Sequence, residues 1–505
     1  MVKLNNNIYL INPPTRAYSV VMPMGLMYIS SYLSSKGIKN EILDFKTTNE
    51  DIALGKILAK LKEEKPRIIG TSCLCTEVVY VKHMCTKIKE ILPDSKIIVG
   101  GAHPTNYSQL FLKEPCFDFV VIGEGEMTFY ELSELLIKHG KPTQEQLLSV
   151  KGIAWDKNQS PQRPFIQELD RLPMPAYDKI DVEYYAKPNS FQIRPVLASV
   201  ASISTGRGCP FRCRYCVAGA VFGKQVRTRS AKVAVDEAEL MLKKYKFDAI
   251  YFNEESFTVD RQRVIAICDE IKKRKLKFIW GCQTRVHLIQ EDLLKIMKDA
   301  GCIQIDFGVE TCSQRLLDVI RKDVKVESVV KAMKSCKRAG IRSFVNLMTN
   351  LPTETKEDLQ MTIDIMKKTK PNAIIWNVTV PYPGTNLSDV VVKDDDLEIL
   401  NRFPSKEAYA LLEKHYKLAE YDYTLSDLVY NKLYRVFFHP RKIYFNLKPS
   451  YIGSFIRFID FIFNPRYIGM LLRSKRKKQY SSAIRLDPNK GKAKILKAKM
   501  PKDTH

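Results

Sequence analysis

The sequence predicts an α/β protein in which a doubly wound parallel sheet precedes a second, partly closed barrel of parallel strands. Short apolar runs alternate with amphipathic segments over residues 8–139, and a second series of the same kind extends over residues 196–382. The chain of 505 residues is also longer than one compact core requires. We therefore expect two or three domains, of which two are built from βα units.

The first series contains five strand-like runs separated by helical patterns. They lie at residues 8–12, 41–45, 67–72, 96–99 and 118–122. In a doubly wound fold the ligand binds beyond the carboxyl ends of the strands. Three of these ends carry small or turn-forming residues, which allow the backbone to approach a flat ligand or a phosphate. Ordinary strand-to-helix turns are the alternative interpretation. The candidate residues are Ser72, Gly100, Gly101, Gly123 and Glu124.

The second series contains six strand-like runs, which are too few for a complete eight-stranded barrel. A partial (β/α)6 barrel is therefore expected, with functional residues at the carboxyl ends of its strands. The runs lie at residues 196–204, 249–253, 278–281, 303–309, 342–347 and 373–378. Polar residues stand at several of these ends, and the candidates among them are Glu254, Arg285, Glu310 and Asn346.

Three cysteines follow the first strand of the second series in a Cys-x3-Cys-x2-Cys spacing, at Cys209, Cys213 and Cys216. Three neighbouring thiolates are able to share one metal centre, and sulfur ligands select zinc, copper(I) or iron–sulfur clusters. A structural zinc site usually takes a fourth ligand from a second nearby pair, and no such pair follows. Zinc, or three core cysteines, remains the alternative. Basic side chains that would favour the thiolate form are Arg207, Arg212 and Arg214.

This cysteine stretch resembles the signature of the radical SAM superfamily. The resemblance implies a [4Fe-4S] cluster whose open iron binds S-adenosylmethionine, together with an external one-electron reductant of the ferredoxin or flavodoxin type. Tyr215 occupies the position where the family places an aromatic residue. The resemblance also implies S-adenosylmethionine contacts from the second series, and we assign these to Tyr215, Glu254, Arg285, Glu310 and Asn346.

The glycine-bearing strand ends of the first series resemble the cobalamin-binding domain that precedes many radical SAM cores. The resemblance implies a cobalamin site lined by Ser72, Gly100, Gly101, Gly123 and Glu124. Methionine-synthase-type domains bind cobalt through a histidine in an Asp-x-His-x-x-Gly loop. Here Asp44 is followed by Phe45 and Lys46, without that histidine, and we interpret His103 as a turn residue. Cobalamin is therefore expected to bind without a protein ligand on cobalt.

These features divide the chain into four parts. Residues 1–145 form the Rossmann-like cobalamin-binding domain, 146–195 a linker, 196–390 the radical SAM core, and 391–505 a helical, basic C-terminal region. The net charge of +25 is concentrated near the C-terminus, where residues 431–505 contain nineteen Lys or Arg and three Asp. A nucleic-acid partner is therefore not expected for the catalytic body.

The C-terminal region combines an aromatic-rich apolar segment, residues 451–463, with a basic cluster at residues 473–478. This pattern is typical of a segment that lies on an anionic membrane surface. The alternatives are a helix packed on the core and followed by a basic tail, or a tail that binds nucleic acid. No secretory signal or apolar run of spanning length is present, so we expect a cytoplasmic enzyme, peripheral to the membrane if the first interpretation holds.

The favoured function is a cobalamin-dependent methyltransferase that acts on an unactivated carbon of a small-molecule or lipid-like substrate. A radical SAM cyclase or rearrangement enzyme, similar to the anaerobic magnesium-protoporphyrin ester cyclase, is the alternative. A tRNA methylthiotransferase would require three N-terminal cysteines for a second cluster. A cobalamin or S-adenosylmethionine sensor with structural zinc is the non-enzymatic alternative.

Overall fold

A computed structural model describes residues 4–14, 21–45, 50–186, 192–194, 198–349, 351–379, 385 and 387. The predicted C-terminal region, residues 391–505, lies outside the described residues. Within the described ranges, no helix is both long and apolar enough to cross a membrane.

The first sheet has seven strands. They are β1 (Asn5–Asn12), β2 (Asn40–Asp44), β3 (Pro66–Ser72), β4 (Lys96–Gly100), β5 (Phe119–Val121), β6 (Ile153–Trp155) and β7 (Asn158–Gln159). The strand order is β2-β1-β3-β4-β5-β6-β7, and the first five strands of the chain are parallel. Because the strand order reverses beside β1, the carboxyl ends of β1 and β3 border the crevice where this type of sheet binds ligands.

Helices cover both faces of this sheet. They are α1 (Met24–Ser35), α2 (Glu50–Glu64), α3 (Val78–Ile91), α4 (Ala102–Asn106), α5 (Ser108–Leu112), α6 (Gly125–His139) and α7 (Gln144–Ser149). Neighbouring strand residues point to opposite faces, so Leu10 packs in one core cluster with Phe129 of α6, whereas Ile11 packs in another with Val81 of α3. The doubly wound fold predicted from the apolar runs is confirmed.

The first domain continues beyond residue 145, where the sequence analysis placed the start of the linker. Strands β6 and β7 lie within residues 146–195, and β6 pairs antiparallel with β5, so the first sheet continues past residue 145. These strands have three and two residues, which is too short for a periodic pattern to reveal. Asp156 makes the tight turn between them with a φ of 48°. The linker also contains a short helix, α8 (Val182–Tyr185).

The remaining strands are β8 (Val200–Ile203), β9 (Gly206–Arg207), β10 (Arg227–Thr228), β11 (Ala249–Phe252), β12 (Ile279–Thr284), β13 (Cys302–Glu310), β14 (Arg342–Thr349) and β15 (Ala373–Val378). Six of them form a parallel sheet in the order β15-β14-β13-β12-β11-β8, while β9 and β10 form a separate antiparallel pair. The six-stranded partial barrel is therefore confirmed.

Helices connect the barrel strands. They are α10 (Ala231–Lys243), α11 (Arg261–Lys273), α12 (Glu291–Asp299), α13 (Gln314–Val319), α14 (Val326–Ala339) and α15 (Lys356–Thr369), while the short α9 (Ala218–Phe222) lies between β9 and β10. Side chains of Ser230, Asp260 and Thr355 accept hydrogen bonds from backbone amides in the first turns of α10, α11 and α15. These caps fix where the helices begin, and so the lengths of the loops at the barrel mouth.

Candidate active site

The three cysteines of the motif lie on one loop between β9 and α9. Backbone hydrogen bonds hold this loop at two places: Cys209 N donates to Gly223 O at 3.2 Å, and Arg214 N donates to Ile320 O at 3.0 Å. Gly208 has a φ of 89°, and a Cβ there would lie 2.1 Å from Gln225 O. Glycine is therefore required immediately before the first cysteine.

Side-chain exposure along the loop fits a cluster near the surface of the barrel mouth. Cys209 and Cys213 are half-buried and Cys216 is exposed. Burial raises the pKa of the Cys209 thiol, and the nearby Arg285 opposes that rise. Among the described residues, no three His, Cys, Asp or Glu side chains are grouped as a single metal ion would need. A four-iron cube binds each cysteine through a different iron, so its ligands need not surround one point.

Arg285, after β12, provides the most specific test of whether this mouth fits a cofactor. Its side chain is buried, its guanidinium lies 3.8 Å from the centroid of the Phe211 ring, and its Nη1 donates to Cys213 Sγ at 3.1 Å. Its Nε and Nη2 are buried and have no hydrogen-bond partner within the described part of the chain. Nε and Nη2 form one edge of the guanidinium, the fork that binds a carboxylate through two parallel hydrogen bonds. The site therefore fits an anionic ligand beside Cys213.

Tyr215 and Glu310, two of the predicted S-adenosylmethionine contacts, lie against each other, and Lys322 joins them. The Tyr215 hydroxyl donates to Glu310 Oε1 at 2.9 Å. Lys322 Nζ lies 2.7 Å from the Tyr215 hydroxyl oxygen and 2.7 Å from Glu310 Oε1. Glu310 has a φ of 67°, and a Cβ at Gly308 would lie 2.6 Å from Glu310 Oε1. Lys322 was not predicted, because it lies on an irregular segment and no pattern marks it as a partner of Glu310.

Glu254 is placed differently from the prediction that it contacts S-adenosylmethionine. Both of its carboxylate oxygens accept hydrogen bonds from Arg263, at 2.9 and 3.1 Å, and Oε1 also accepts from the Thr205 hydroxyl. A ligand contact through this buried carboxylate would have to break an ion pair, which is costly. The neighbouring Glu255 is half-buried, and burial raises its pKa to about 7. Glu255 is thus the more available of the two carboxylates.

Asn346 lies within β14, three residues before the strand ends at Thr349, half-buried and in register with Gly308 of β13. The structure thereby places Asn346 beside the strand that carries Glu310. The loop that follows β14 contains Thr353. Thr353 adopts a φ of 63°, the left-handed conformation that glycine tolerates best, and Arg315 stabilises the loop through bonds to Thr353 Oγ1 at 2.9 Å and Thr353 O at 2.7 Å.

The predicted cobalamin residues lie along one edge of the first sheet. Ser72 ends β3, Gly100 ends β4, and Gly101 and Gly123 follow β4 and β5. Gly101 has a φ of 104°, and a Cβ there would lie 3.0 Å from Cys73 O, so the backbone after β4 packs directly against the backbone of Cys73. His103 is buried and makes edge-to-face contacts with Tyr107 and Phe111.

Glu124 and Arg207 are also placed differently from their predictions. Glu124 was expected to line the cobalamin site, but its buried carboxylate accepts hydrogen bonds from Arg207, Arg227 and the backbone of Ile166. Arg207 was expected to support the cysteine thiolates, but its guanidinium binds Glu124 and Glu126. A charged residue beside a ligand motif looks the same in sequence whether it faces the ligand or a neighbouring domain.

Two family models match the chain. The model described as "Radical SAM superfamily" matches residues 203–366, and the model described as "B12 binding domain" matches residues 15–133. These ranges contain the cysteine motif with most of the barrel, and the first parallel sheet.

Relatives and solved structures agree with this division. The uncharacterized methyltransferase PH0819 of Pyrococcus horikoshii is 30% identical over 78% of this chain and 85% of its own length. The anaerobic magnesium-protoporphyrin IX monomethyl ester cyclase of Rubrivivax gelatinosus is 29% identical over 72% of this chain and 65% of its own length. The radical S-adenosylmethionine methyltransferase TsrM of Kitasatospora setae, solved with cobalamin and a [4Fe-4S] cluster, shares the fold with a TM-score of 0.65 at 18% identity, over 77% of this chain and 78% of that one.

The resemblance inferred from the cysteine motif and the glycine-bearing strand ends is thus confirmed. The cofactors of the family are a [4Fe-4S] cluster and S-adenosylmethionine, with cobalamin for the N-terminal domain. The assignment of Cys209, Cys213 and Cys216 to the cluster stays a prediction. The chain belongs to the radical SAM superfamily, among the members that also carry a B12-binding domain.

Proposed function

We propose that this enzyme is a cobalamin-dependent methyltransferase that acts on an unactivated carbon of a small-molecule or lipid-like substrate. One observation carries this proposal: the helix that follows the glycine-bearing end of β4 lies beside the helix that follows the cysteine loop. Cα atoms of α4, which follows Gly101, lie within 8 Å of those of α9, which follows Cys216. The cobalamin site would supply the methyl group and the cluster site the radical. One substrate is able to react with both only when the two sites are adjacent.

Different residues at the barrel mouth would bind the cluster and S-adenosylmethionine. Cys209, Cys213 and Cys216 would ligate the cluster. The free fork of Arg285 would hold the S-adenosylmethionine carboxylate, and Tyr215, Glu310 and Asn346 would line the same pocket. When bound, the reduced cluster and S-adenosylmethionine supply a carbon-centred radical. Lys322 neutralises Glu310 and keeps it in place, so that the mouth remains preorganised.

At the other edge, Ser72, Gly100, Gly101 and Gly123 would line the cobalamin site. When bound, cobalamin supplies the methyl group. Because the Asp44 loop has no histidine and His103 is packed among aromatic rings, this chain would hold cobalamin through backbone and side-chain contacts to the corrin alone. An acidic one-electron carrier of the ferredoxin or flavodoxin type would reduce the cluster.

A radical SAM cyclase is the second candidate, and the similarity to the Rubrivivax gelatinosus cyclase favours it. The two functions differ in the fate of the S-adenosylmethionine methyl group. A methyltransferase passes that group to the bound corrinoid before it reaches substrate, whereas a cyclase leaves it in methionine.

We therefore expect anaerobically reconstituted enzyme, incubated with hydroxocobalamin, a strong reductant and methyl-tritiated S-adenosylmethionine, to move tritium into the corrinoid. The substrate is not needed for this readout. Chromatography after acid quenching separates labelled corrinoid from labelled methionine. Tritium recovered only in methionine and unreacted S-adenosylmethionine would overturn the methyltransferase proposal and support the cyclase.

We also propose that residues 451–478 attach the enzyme to an anionic membrane surface. The amino-acid composition supports this proposal: four phenylalanines within residues 451–463 are followed by five basic residues within 473–478. Each basic residue near such a surface contributes roughly 1 kcal/mol, and each buried aromatic side chain a comparable amount. A lipid-like substrate would then meet the active site at the bilayer.

The intact protein is accordingly expected to co-sediment with vesicles rich in phosphatidylserine, and to be released by high salt. Protein truncated after residue 450 should remain in the supernatant, and neutral phosphatidylcholine vesicles provide the control. Equal, salt-insensitive recovery of both proteins in the supernatant would rule out membrane attachment.

A further inference from the structure

We propose that Glu124 is a positioning residue that ties the edge of the N-terminal domain to the cysteine loop, so that the first domain sets where the cluster ligands lie. The inference uses the family assignment of Cys209, Cys213 and Cys216 to the cluster. It does not depend on whether the enzyme transfers methyl groups, and its test does not measure that reaction.

The contacts of Glu124 form a saturated, buried arrangement across the two domains. Its two oxygens accept from Arg227 Nη1 at 2.8 and 2.9 Å, and Oε1 also accepts from Arg207 Nη1 at 3.0 Å. Oε2 accepts from the backbone amide of Ile166 at 2.7 Å. The side chains of Glu124 and Arg227 are only 3% and 2% exposed. Because water reaches neither charge, each depends on the other for compensation.

Two more N-terminal residues hold the same stretch of the barrel. Glu126 Oε1 accepts from Arg207 Nη2 at 2.6 Å. The Tyr28 hydroxyl donates to Ser204 O at 3.2 Å, and its ring centroid lies 5.1 Å from the Arg207 guanidinium. Glu124 and Glu126 both pair with the buried Arg207 guanidinium and compensate its charge. Helices α1 and α6 therefore both hold residues 204–207.

The barrel holds these residues from the opposite side. Arg263 Nη2 donates to Thr205 O at 3.1 Å and to Thr205 Oγ1 at 2.6 Å, and a Cβ at Gly206 would lie 2.5 Å from Glu254 Oε2. The backbone of residues 204–207 is thus fixed between two buried ion-pair systems, one from each domain. Cys209 is only two residues after Arg207, so the fixed backbone at Arg207 also determines where the cysteine loop begins.

Neutralising Glu124 should loosen the cysteine loop. Glu124→Gln keeps the size of the side chain but leaves Arg227 and part of Arg207 uncompensated, and breaking one partner of a buried pair is strongly destabilising locally. In the full-length, cluster-reconstituted protein, we expect amide hydrogen exchange in residues 205–216 to accelerate about tenfold or more. The electron paramagnetic resonance spectrum of the reduced cluster should shift as well, since its ligands move.

A matched control lies on α6, the helix that begins directly after Glu124. Glu131 of α6 pairs with Arg163 and, within the described part of the chain, makes no hydrogen bond or ion pair to residues 204–207, so Glu131→Gln should leave exchange in residues 205–216 unchanged. Glu124→Asp retains the negative charge, but the shorter side chain moves the carboxylate away from Arg207 and Arg227 by the length of one methylene group. It should give a smaller acceleration than Glu124→Gln, and it serves as the test if Glu124→Gln does not accumulate as folded protein.

Two results would overturn the proposal. If Glu124→Gln, or Glu124→Asp in its place, loses hydroxocobalamin binding while exchange at residues 205–216 and the cluster spectrum stay at wild-type values, then Glu124 is a cofactor contact. If Glu131→Gln accelerates exchange at residues 205–216 as much as Glu124→Gln, the effect is general destabilisation of α6.

Discussion

Replacing Cys213 with alanine is expected to abolish both cluster binding and the cleavage of S-adenosylmethionine. In the proposed assignment the cube takes its three protein ligands from one short loop, and no other cysteine of the described residues lies on that loop. Changes around a metal ligand already cost 10- to 100-fold in affinity or activity, so loss of a ligand itself should exceed about 100-fold. Iron content after anaerobic reconstitution and the yield of 5′-deoxyadenosine under reducing conditions measure the two effects.

Cys75→Ala is the matched control for this prediction. Cys75 is also half-buried, but it lies in the turn after β3 in the N-terminal domain, beside the fully buried Cys73. The variant should retain wild-type iron and cleavage. If instead Cys213→Ala kept its iron and still produced 5′-deoxyadenosine, the assignment of the motif would be wrong. Loss of half the iron in Cys75→Ala would indicate the second cluster that a methylthiotransferase carries.

Arg285→Met should weaken the binding of S-adenosylmethionine by about tenfold to hundredfold. The reason is the free Nε and Nη2 fork, which has no other partner among the described residues. Hydrogen bonds to charged groups are worth about 1.5–3 kcal/mol, and each 1.4 kcal/mol corresponds to a factor of ten. Methionine retains most of the apolar contact with Phe211. Equilibrium dialysis against labelled S-adenosylmethionine gives the dissociation constant, with iron content measured on the same sample.

Arg212→Met tests whether any arginine of the cysteine loop would have the same effect. Arg212 is 66% exposed, and its contact with Asp323 is long, at 3.8 Å. Such surface pairs contribute little, so binding should remain within about twofold of wild type. Full-affinity binding by Arg285→Met at normal iron content would show that the carboxylate is held elsewhere.

The fold was largely predictable because its elements carry their own patterns. Each parallel strand is a short apolar run next to an amphipathic helix, and both series of strands were located within a few residues. The β6–β7 hairpin was missed because two or three residues show no period. The positions of Cys209, Cys213 and Cys216 on one loop followed from spacing alone.

The electrostatic partners within the site were not predictable in the same way. Glu254 and Glu124 were both expected to face cofactors, yet each is held by arginines that lie at least nine residues away in the chain, Arg263 for the first and Arg207 and Arg227 for the second. Lys322 likewise reaches Glu310 across a helix and a loop. Sequence shows that such charges stand at strand ends, but only packing decides which charge pairs with which.

The proposed cofactor site has three cysteines that hold a four-iron cube, with one iron open to S-adenosylmethionine. Electron paramagnetic resonance of the anaerobically reconstituted, dithionite-reduced protein tests it most directly, alongside metal analysis. We expect about four irons per chain and a cluster signal that changes when S-adenosylmethionine is added. About one zinc per chain with no such signal, or a four-iron signal that S-adenosylmethionine leaves unaltered, would contradict it.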